Sequence, residues 1–159
     1  MLRALPEAGV RVTSLRGSLD AGHLGGRVDL PASSWGSGKD WRVWDGEQVA
    51  DLVHAGAELQ RDLLDLIDRH RSADRDAVLD QVVREALLAL SSDWAFMVTK
   101  DSAADYARRR AKTHGERYAE LAGLVRSGAR DRASARAAEL AGEDGPFTGL
   151  DARHLGTDE

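Results

Sequence analysis

Apolar residues recur at three- and four-residue intervals through the middle of this chain. Val49, Leu52, Val53, Leu59, Leu63, Leu66 and Ile67 share one face of a helix running from about Asp45 to His70. A second face, made of Val78, Leu79, Val82, Val83, Ala86 and Leu90, predicts a helix that starts near Ser72 or Asp74 and ends at Asp93. A third helix is expected from Ser102 to about Ser127, where Gly128 can end it, and a weaker fourth from Asp131 to Leu140. Asp45-Gly46-Glu47-Gln48 has the form of a capping box, and so has the stretch from Ser102 to Asp105.

The chain before Asp45 follows another pattern. Residues 2–8 read as the end of a helix, and Gly9-Val10-Arg11-Val12-Thr13-Ser14-Leu15 alternates as a short strand does. Residues 16–40 are glycine-rich and predict a long loop with a brief strand at Arg27 to Leu30. One strand cannot make a sheet, so its position suggests that the sequence begins inside an alpha/beta domain. From Ala141 onward too little apolar surface remains to offset ordering entropy, and fraying is expected. The expected organisation is an alpha/beta remnant over 1–20, a Trp-rich loop over 21–45, a helical domain over 46–141 and a flexible tail over 142–159.

Composition narrows the chemistry. At 159 residues with 42% hydrophobic content the chain can bury a single-domain core. It has no cysteine, which excludes disulfides and thiolate metal sites, and its five histidines show no ligand spacing. No metal and no cofactor is therefore expected. A net charge of -5 argues against a nucleic-acid partner, and Arg108-Arg109-Arg110-Lys112 alternates with Asp105, Glu116 and Glu120 as a solvated helix face does. His114 reads as a packed helix residue. Nowhere do some twenty apolar residues run together, and the first residues lack a signal-peptide core, so no membrane partner and a cytoplasmic location are expected.

The four tryptophans stand in polar settings, three of them within ten residues. A tryptophan in a Gly/Ser loop is costly unless its flat face meets something, and these are interleaved with Lys39, Asp40, Arg42 and Asp45. That pattern suits flat, hydroxylated ligands such as sugars.

Three blocks carry a resemblance: Leu30-Pro31-Ala32-Ser33-Ser34-Trp35-Gly36-Ser37-Gly38-Lys39-Asp40-Trp41-Arg42-Val43-Trp44, then Leu88-Ala89-Leu90-Ser91-Ser92-Asp93-Trp94-Ala95-Phe96-Met97, then Ser102-Ala103-Ala104-Asp105-Tyr106-Ala107-Arg108-Arg109-Arg110. In order and spacing they resemble the C-terminal part of the 1,4-alpha-glucan branching enzymes of glycoside hydrolase family 57. The likeness spans about Leu2 to Leu124. Ser37 stands where the family usually has Glu, and Ala95 where it often has Pro.

The resemblance implies a mainly helical C-terminal bundle, preceded by a loop-rich Trp segment and the last strand of a truncated (beta/alpha) barrel. It implies an alpha-glucan substrate, and the missing N-terminal barrel as the partner that carries both catalytic carboxylates. No block here matches either of those motifs, so no catalytic residue is assigned. By resemblance, Trp35 lines the glucan cleft and stacks on a sugar, Asp93 accepts hydrogen bonds from sugar hydroxyls, and Trp44 and Trp94 are cleft walls. Each has a plainer alternative. Trp35 could plug the core over its glycine, Trp44 could staple onto the first helix, and Trp94 suits a core position better than a ligand position. Asp93, read at the C-terminal end of the second helix, sits badly with the helix dipole, which favours a functional reason for it or a salt bridge. Trp41 is expected only to be exposed. Two readings of other classes stay open: a non-catalytic helical glucan-binding or interaction module, and a small helical protein whose tryptophans are all core.

Overall fold

The computed structural model describes residues 4–155; expectations that fall on 1–3 and 156–159 lie outside the described residues. The chain divides into two units, Met1–Ala32 and Ser33–Glu159.

In the first unit two short helices form, α1 (Ala4–Glu7) and α2 (Leu15–Asp20). The strand expected over Gly9 to Leu15 is absent, and so is the brief one at Arg27 to Leu30; no strand occurs among the described residues. Alternation alone cannot hold a strand, because its N–H and C=O groups need a neighbour to pair with. Local bonds take over instead. Gly9, at φ +76°, closes α1, and the Ser14 hydroxyl caps α2 by accepting from the Gly17 N–H at 3.0 Å. Val10, Val12, Leu15 and Leu30 are left exposed.

The second unit is helical: α3 (Arg42–Asp45), α4 (Ala50–His70), α5 (Ala77–Ala89), α6 (Ser92–Thr99), α7 (Ala104–Arg126) and α8 (Arg130–Glu143). Helix α5 packs against α4, α7 and α8 and forms the axis of the core. Leu63, Leu66 and Ile67 of α4, Val82, Val83 and Ala86 of α5, Leu121 of α7 and Leu140 of α8 are all buried there. Each buried Leu or Ile contributes about 1.5–3 kcal/mol by leaving water. The helix expected to end near Ser127 does so, with Gly128 at φ +69° just beyond it.

Neither expected capping box forms. Asp45 closes α3, and a 3-10 turn at Glu47–Val49 leads into α4; α7 starts after Ala103 without a side-chain cap. The cap that opens α5 is Asp76, which explains why that helix begins at Ala77. Its Oδ1 accepts from the N–H groups of Val78 at 2.8 Å and Leu79 at 3.4 Å, and Arg130 grips both carboxylate oxygens at 2.6 Å. Burial pushes the Asp76 carboxyl upward, but Arg130 and the capping bonds outweigh it and hold the group below the ordinary carboxylate range.

Polar and charged side chains also enter the bundle. Asp80, Gln81, Arg84 and Glu85 of α5 are buried. They remain inside because they are satisfied: Gln81 Nε2 donates to Glu85 Oε1 at 2.9 Å, Arg84 donates to Gln81, and His114 Nδ1 lies 2.6 Å from Glu85 Oε2. The stretch after Glu143, expected as a flexible tail, makes defined contacts through residue 155. Ala152 N–H donates to Asp80 Oδ1 at 2.8 Å, Arg84 Nε donates to the Pro146 carbonyl at 2.7 Å, and Ala152 is buried in the core. On α7, the basic cluster is likewise only partly solvated: Arg108 pairs with Asp51, and Arg110 with Asp144 at 3.2 Å.

Candidate functional site

The Trp loop folds around Ser34 and Val43, both buried. The Ser34 hydroxyl accepts from the Trp41 N–H at 3.0 Å, and the Ser34 N–H donates to the Lys39 carbonyl at 3.4 Å. Gly36 sits at φ +118°, ψ -174°, a conformation reserved for glycine, and a Cβ there would come within 3.0 Å of Val43 Cγ2. Trp41 takes a left-handed φ of +71° and is 52% exposed. Asp40 and Arg42 close the loop's outer edge, Arg42 Nε donating to Asp40 Oδ1 at 2.9 Å and Oδ2 at 2.7 Å.

This loop is fastened to α6. Thr99 Oγ1 donates to the Val43 carbonyl at 3.0 Å, and Trp44 Nε1 donates to the Trp35 carbonyl at 2.6 Å. Three rings then gather. Trp35 lies 5.7 Å from Phe96 and 6.2 Å from Trp44, centroid to centroid, and Trp44 lies 6.3 Å from Phe96 at 26°. The Trp35 backbone is thus fixed and one edge of its ring supported, while the side chain remains 68% exposed. Trp35 is not among the buried core residues of this unit. Trp44 is half-buried between the ring cluster and the groove beside Leu52 and Val53 of α4.

Asp93 lies in the first turn of α6, not at the end of α5, which stops at Ala89. The argument from an unfavourable dipole therefore falls, since the N-terminal turn of a helix is a favourable place for a carboxylate. The Asp93 side chain is exposed and makes no hydrogen bond or ion pair among the described residues. Its spacing of three from Phe96 puts it on the same side of α6 as the Trp35 cluster. Trp94 turns elsewhere. Its Nε1 donates to the Leu88 carbonyl at 2.8 Å, and its half-buried ring meets Tyr106 of α7 edge-on at 6.2 Å and 75°. Phe96 brings Trp35 and Trp44 together, Asp93 stands one turn before Phe96 on α6, and Trp94 packs on Tyr106 while lining a shallow groove together with Trp44. Sequence reasoning missed Phe96 and Tyr106, though the three-residue spacing from Asp93 to Phe96 is a signal that could have found the first.

Glu85 and His114, the closest acid–base pair, are both 0% exposed inside the bundle and cannot reach a substrate. No group of three or more His, Asp or Glu among the described residues is placed to hold a metal, and no described helix is long and apolar enough to cross a membrane.

The family model for the C-terminal domain of 1,4-alpha-glucan branching enzymes matches residues 55–154. A probable 1,4-alpha-glucan branching enzyme of Mycobacterium tuberculosis is 51% identical, over 98% of this chain and 31% of that protein. A 1,4-alpha-glucan branching enzyme of Thermococcus kodakarensis is 31% identical over 62% of this chain and 15% of its own length. The chain therefore spans about a third or less of the curated relatives it matches. Among solved structures, a family 57 type branching enzyme from Pyrococcus horikoshii shares the fold with a TM-score of 0.79 and 23% identity, over 98% of this chain and 30% of that one. A family 57 branching enzyme of Thermococcus kodakaraensis, crystallised with glucose, matches equally well at a TM-score of 0.79 and 24% identity, over 29% of its length.

Proposed function

This chain belongs to the glycoside hydrolase family 57 branching enzymes, as their C-terminal domain, and from that premise we propose that its Trp35 loop and α6 form one wall of an alpha-glucan cleft. Trp35 stacks on a glucose ring, and Asp93 accepts hydrogen bonds from its hydroxyls. Trp44 braces Trp35, and Trp94 supports the wall from the α7 side. The observation that carries this reading is a mostly exposed indole held against Trp44 and Phe96, Phe96 being one helical turn after Asp93, a carboxylate with no ion pair among the described residues. Stacking is worth about 0.5–1.5 kcal/mol beyond area burial, and a charged acceptor makes a hydrogen bond about twice as strong as a neutral one.

In the whole enzyme the proposed reaction breaks an alpha-1,4 bond and remakes it as alpha-1,6 with retention. Retention takes two displacements by a nucleophile and an acid/base about 5 Å apart. We assign both to the barrel that the longer relatives carry outside the matched third, and none to this chain. The setting we propose is cytoplasmic synthesis of a glycogen-type glucan.

Titration of the chain with maltoheptaose, followed by tryptophan fluorescence, tests the reading. Binding should weaken about tenfold in Asp93→Ala, the loss of one charge-assisted hydrogen bond. Equal affinity of wild type and Asp93→Ala, or no binding by either, would refute it.

A further inference from the structure

Arg84 is a buried cation without a counter-ion. It is 8% exposed, and all three guanidinium nitrogens donate to neutral acceptors: Nη1 to Gln81 Oε1, Nε to the Pro146 carbonyl at 2.7 Å and Nη2 to the Phe147 carbonyl at 3.4 Å. The two carboxylates beside it on α5 are committed elsewhere, Asp80 to Arg75 at 2.6 Å and Glu85 to His114 at 2.6 Å. Arg84 itself forms no ion pair among the described residues. Hydrogen bonds to amides offset the cost of burying such a charge only in part.

Arg84 lines a cavity of about 300 Å³ between α5 and α8, and the more exposed Arg75 and Arg130 line it with Arg84. Arg75 spends Nε on Asp80 and Nη2 on the Leu150 carbonyl, and Arg130 spends Nη1 and Nη2 on Asp76, so Arg75 Nη1 and Arg130 Nε are uncommitted. Asp80 is the one carboxylate among the described residues that line the cavity, against three guanidinium groups. The rest of the lining is small and apolar, mostly Ala77, Ala137, Ala138 and Ala141, with the Ser134 hydroxyl among them.

We propose that this cavity binds a small phosphate monoester, its phosphate answering Arg84 and its uncharged body lying on the alanines. Planar guanidinium forks match phosphate oxygens in pairs, and a phosphate monoester brings about -1.5 to -2 of charge, enough to compensate the buried cation and the surplus on Arg75 and Arg130. The volume suits a small molecule better than a bare ion, and an apolar floor has no use for free phosphate. Occupation has a structural consequence. Arg84 holds the Pro146 and Phe147 carbonyls and Asp80 holds the Ala152 N–H, so an anion that settles this cluster tightens the segment after α8 onto α5. The cavity shares no residue with the Trp35 face, and the proposal takes nothing from the glucan reading.

The probes are a glucose phosphate monoester, AMP and inorganic phosphate, each titrated into the 159-residue chain at constant ionic strength in chloride. The readouts are the heat of binding and hydrogen exchange at the Ala152 amide. At least one ester should bind saturably, about tenfold or more tighter than inorganic phosphate, and at saturation should slow Ala152 exchange about tenfold. The tighter ester tells a sugar phosphate from a nucleotide. Ala138→Glu sets a carboxylate at an exposed α8 position in the lining, where it faces the same cations. It should abolish ester binding and raise the urea midpoint of the unliganded chain, whereas Ala138→Gln, of equal size and no charge, should leave the midpoint unraised. Arg84→Gln should also lose ester binding. Because it weakens the hold on Pro146 and Phe147 as well, the Ala138 pair decides the matter if that variant does not fold. Absence of saturable binding by both esters overturns the proposal. So does inorganic phosphate binding as tightly as the esters, or Ala138→Glu binding them as wild type does.

Discussion

Replacing Trp35 with alanine separates a binding platform from a packing residue, because the two roles predict opposite balances of stability and affinity. Truncating a fully buried tryptophan costs about 3–5 kcal/mol. Trp35 is 68% exposed, so only about a third of that contact area is at stake. Its tilted contacts with Trp44 and Phe96, at 45° and 48°, add a little more, and the expected loss of stability is about 1–2 kcal/mol. The Trp35 carbonyl, which receives the Trp44 indole N–H, survives in the variant. Loss of the stacking face should cost about 1–3 kcal/mol in glucan binding, or roughly five- to 150-fold in affinity. The assay pairs a urea unfolding curve with a maltoheptaose titration on the same preparation. A stability loss above about 3 kcal/mol with unchanged affinity would show that the indole is a packing residue and would refute the cleft wall.

Further tests bear on what holds the site in place. Gly36→Ala should cost about 1–3 kcal/mol, from its glycine-only backbone and the approach to Val43, and should speed exchange of the Trp41 amide that bonds to Ser34. Asp80→Ala strands the buried Ala152 N–H and takes from Arg75 its carboxylate partner, so unfolding in urea should show a loss of about 2–4 kcal/mol, with Asp80→Asn losing about half as much. Acid should weaken the fold: Asp62 and Asp76 both titrate below their ordinary value when folded, so their stabilising effect is complete above about pH 4 and is lost as pH falls through the lowered values. Unfolding midpoints that rise between pH 5 and pH 3 would contradict this.

Periodicity revealed the four long helices, because a buried stripe leaves a repeat in the sequence that any window can detect. It could not reveal that α5 is buried all round. Asp80, Gln81, Arg84 and Glu85 look like solvent-facing positions until residues some thirty to seventy places away arrive to satisfy them, as His114, Pro146 and Ala152 do. The capping boxes failed for a related reason: Asp45 had a competing use as the end of α3, and sequence spacing does not rank the two. The position of Asp93 shifted from helix end to helix start because a break of only two residues, Leu90 and Ser91, separates α5 from α6. At the site, the tryptophans were legible as unusual residues in a polar loop. Their mutual arrangement was not, since it depends on Phe96, an unremarkable aromatic until Trp35 and Trp44 close on it.

The contacts of the segment after α8 bear on how the protein is made. Arg84 and Asp80 leave the ribosome more than sixty residues ahead of the Pro146 carbonyl and the Ala152 amide that satisfy them. During synthesis, α5 must wait as a helix whose buried polar groups still face water. The bundle can therefore lock only when translation has passed residue 152, and a nascent chain paused before Pro146 would present that helix to chaperones.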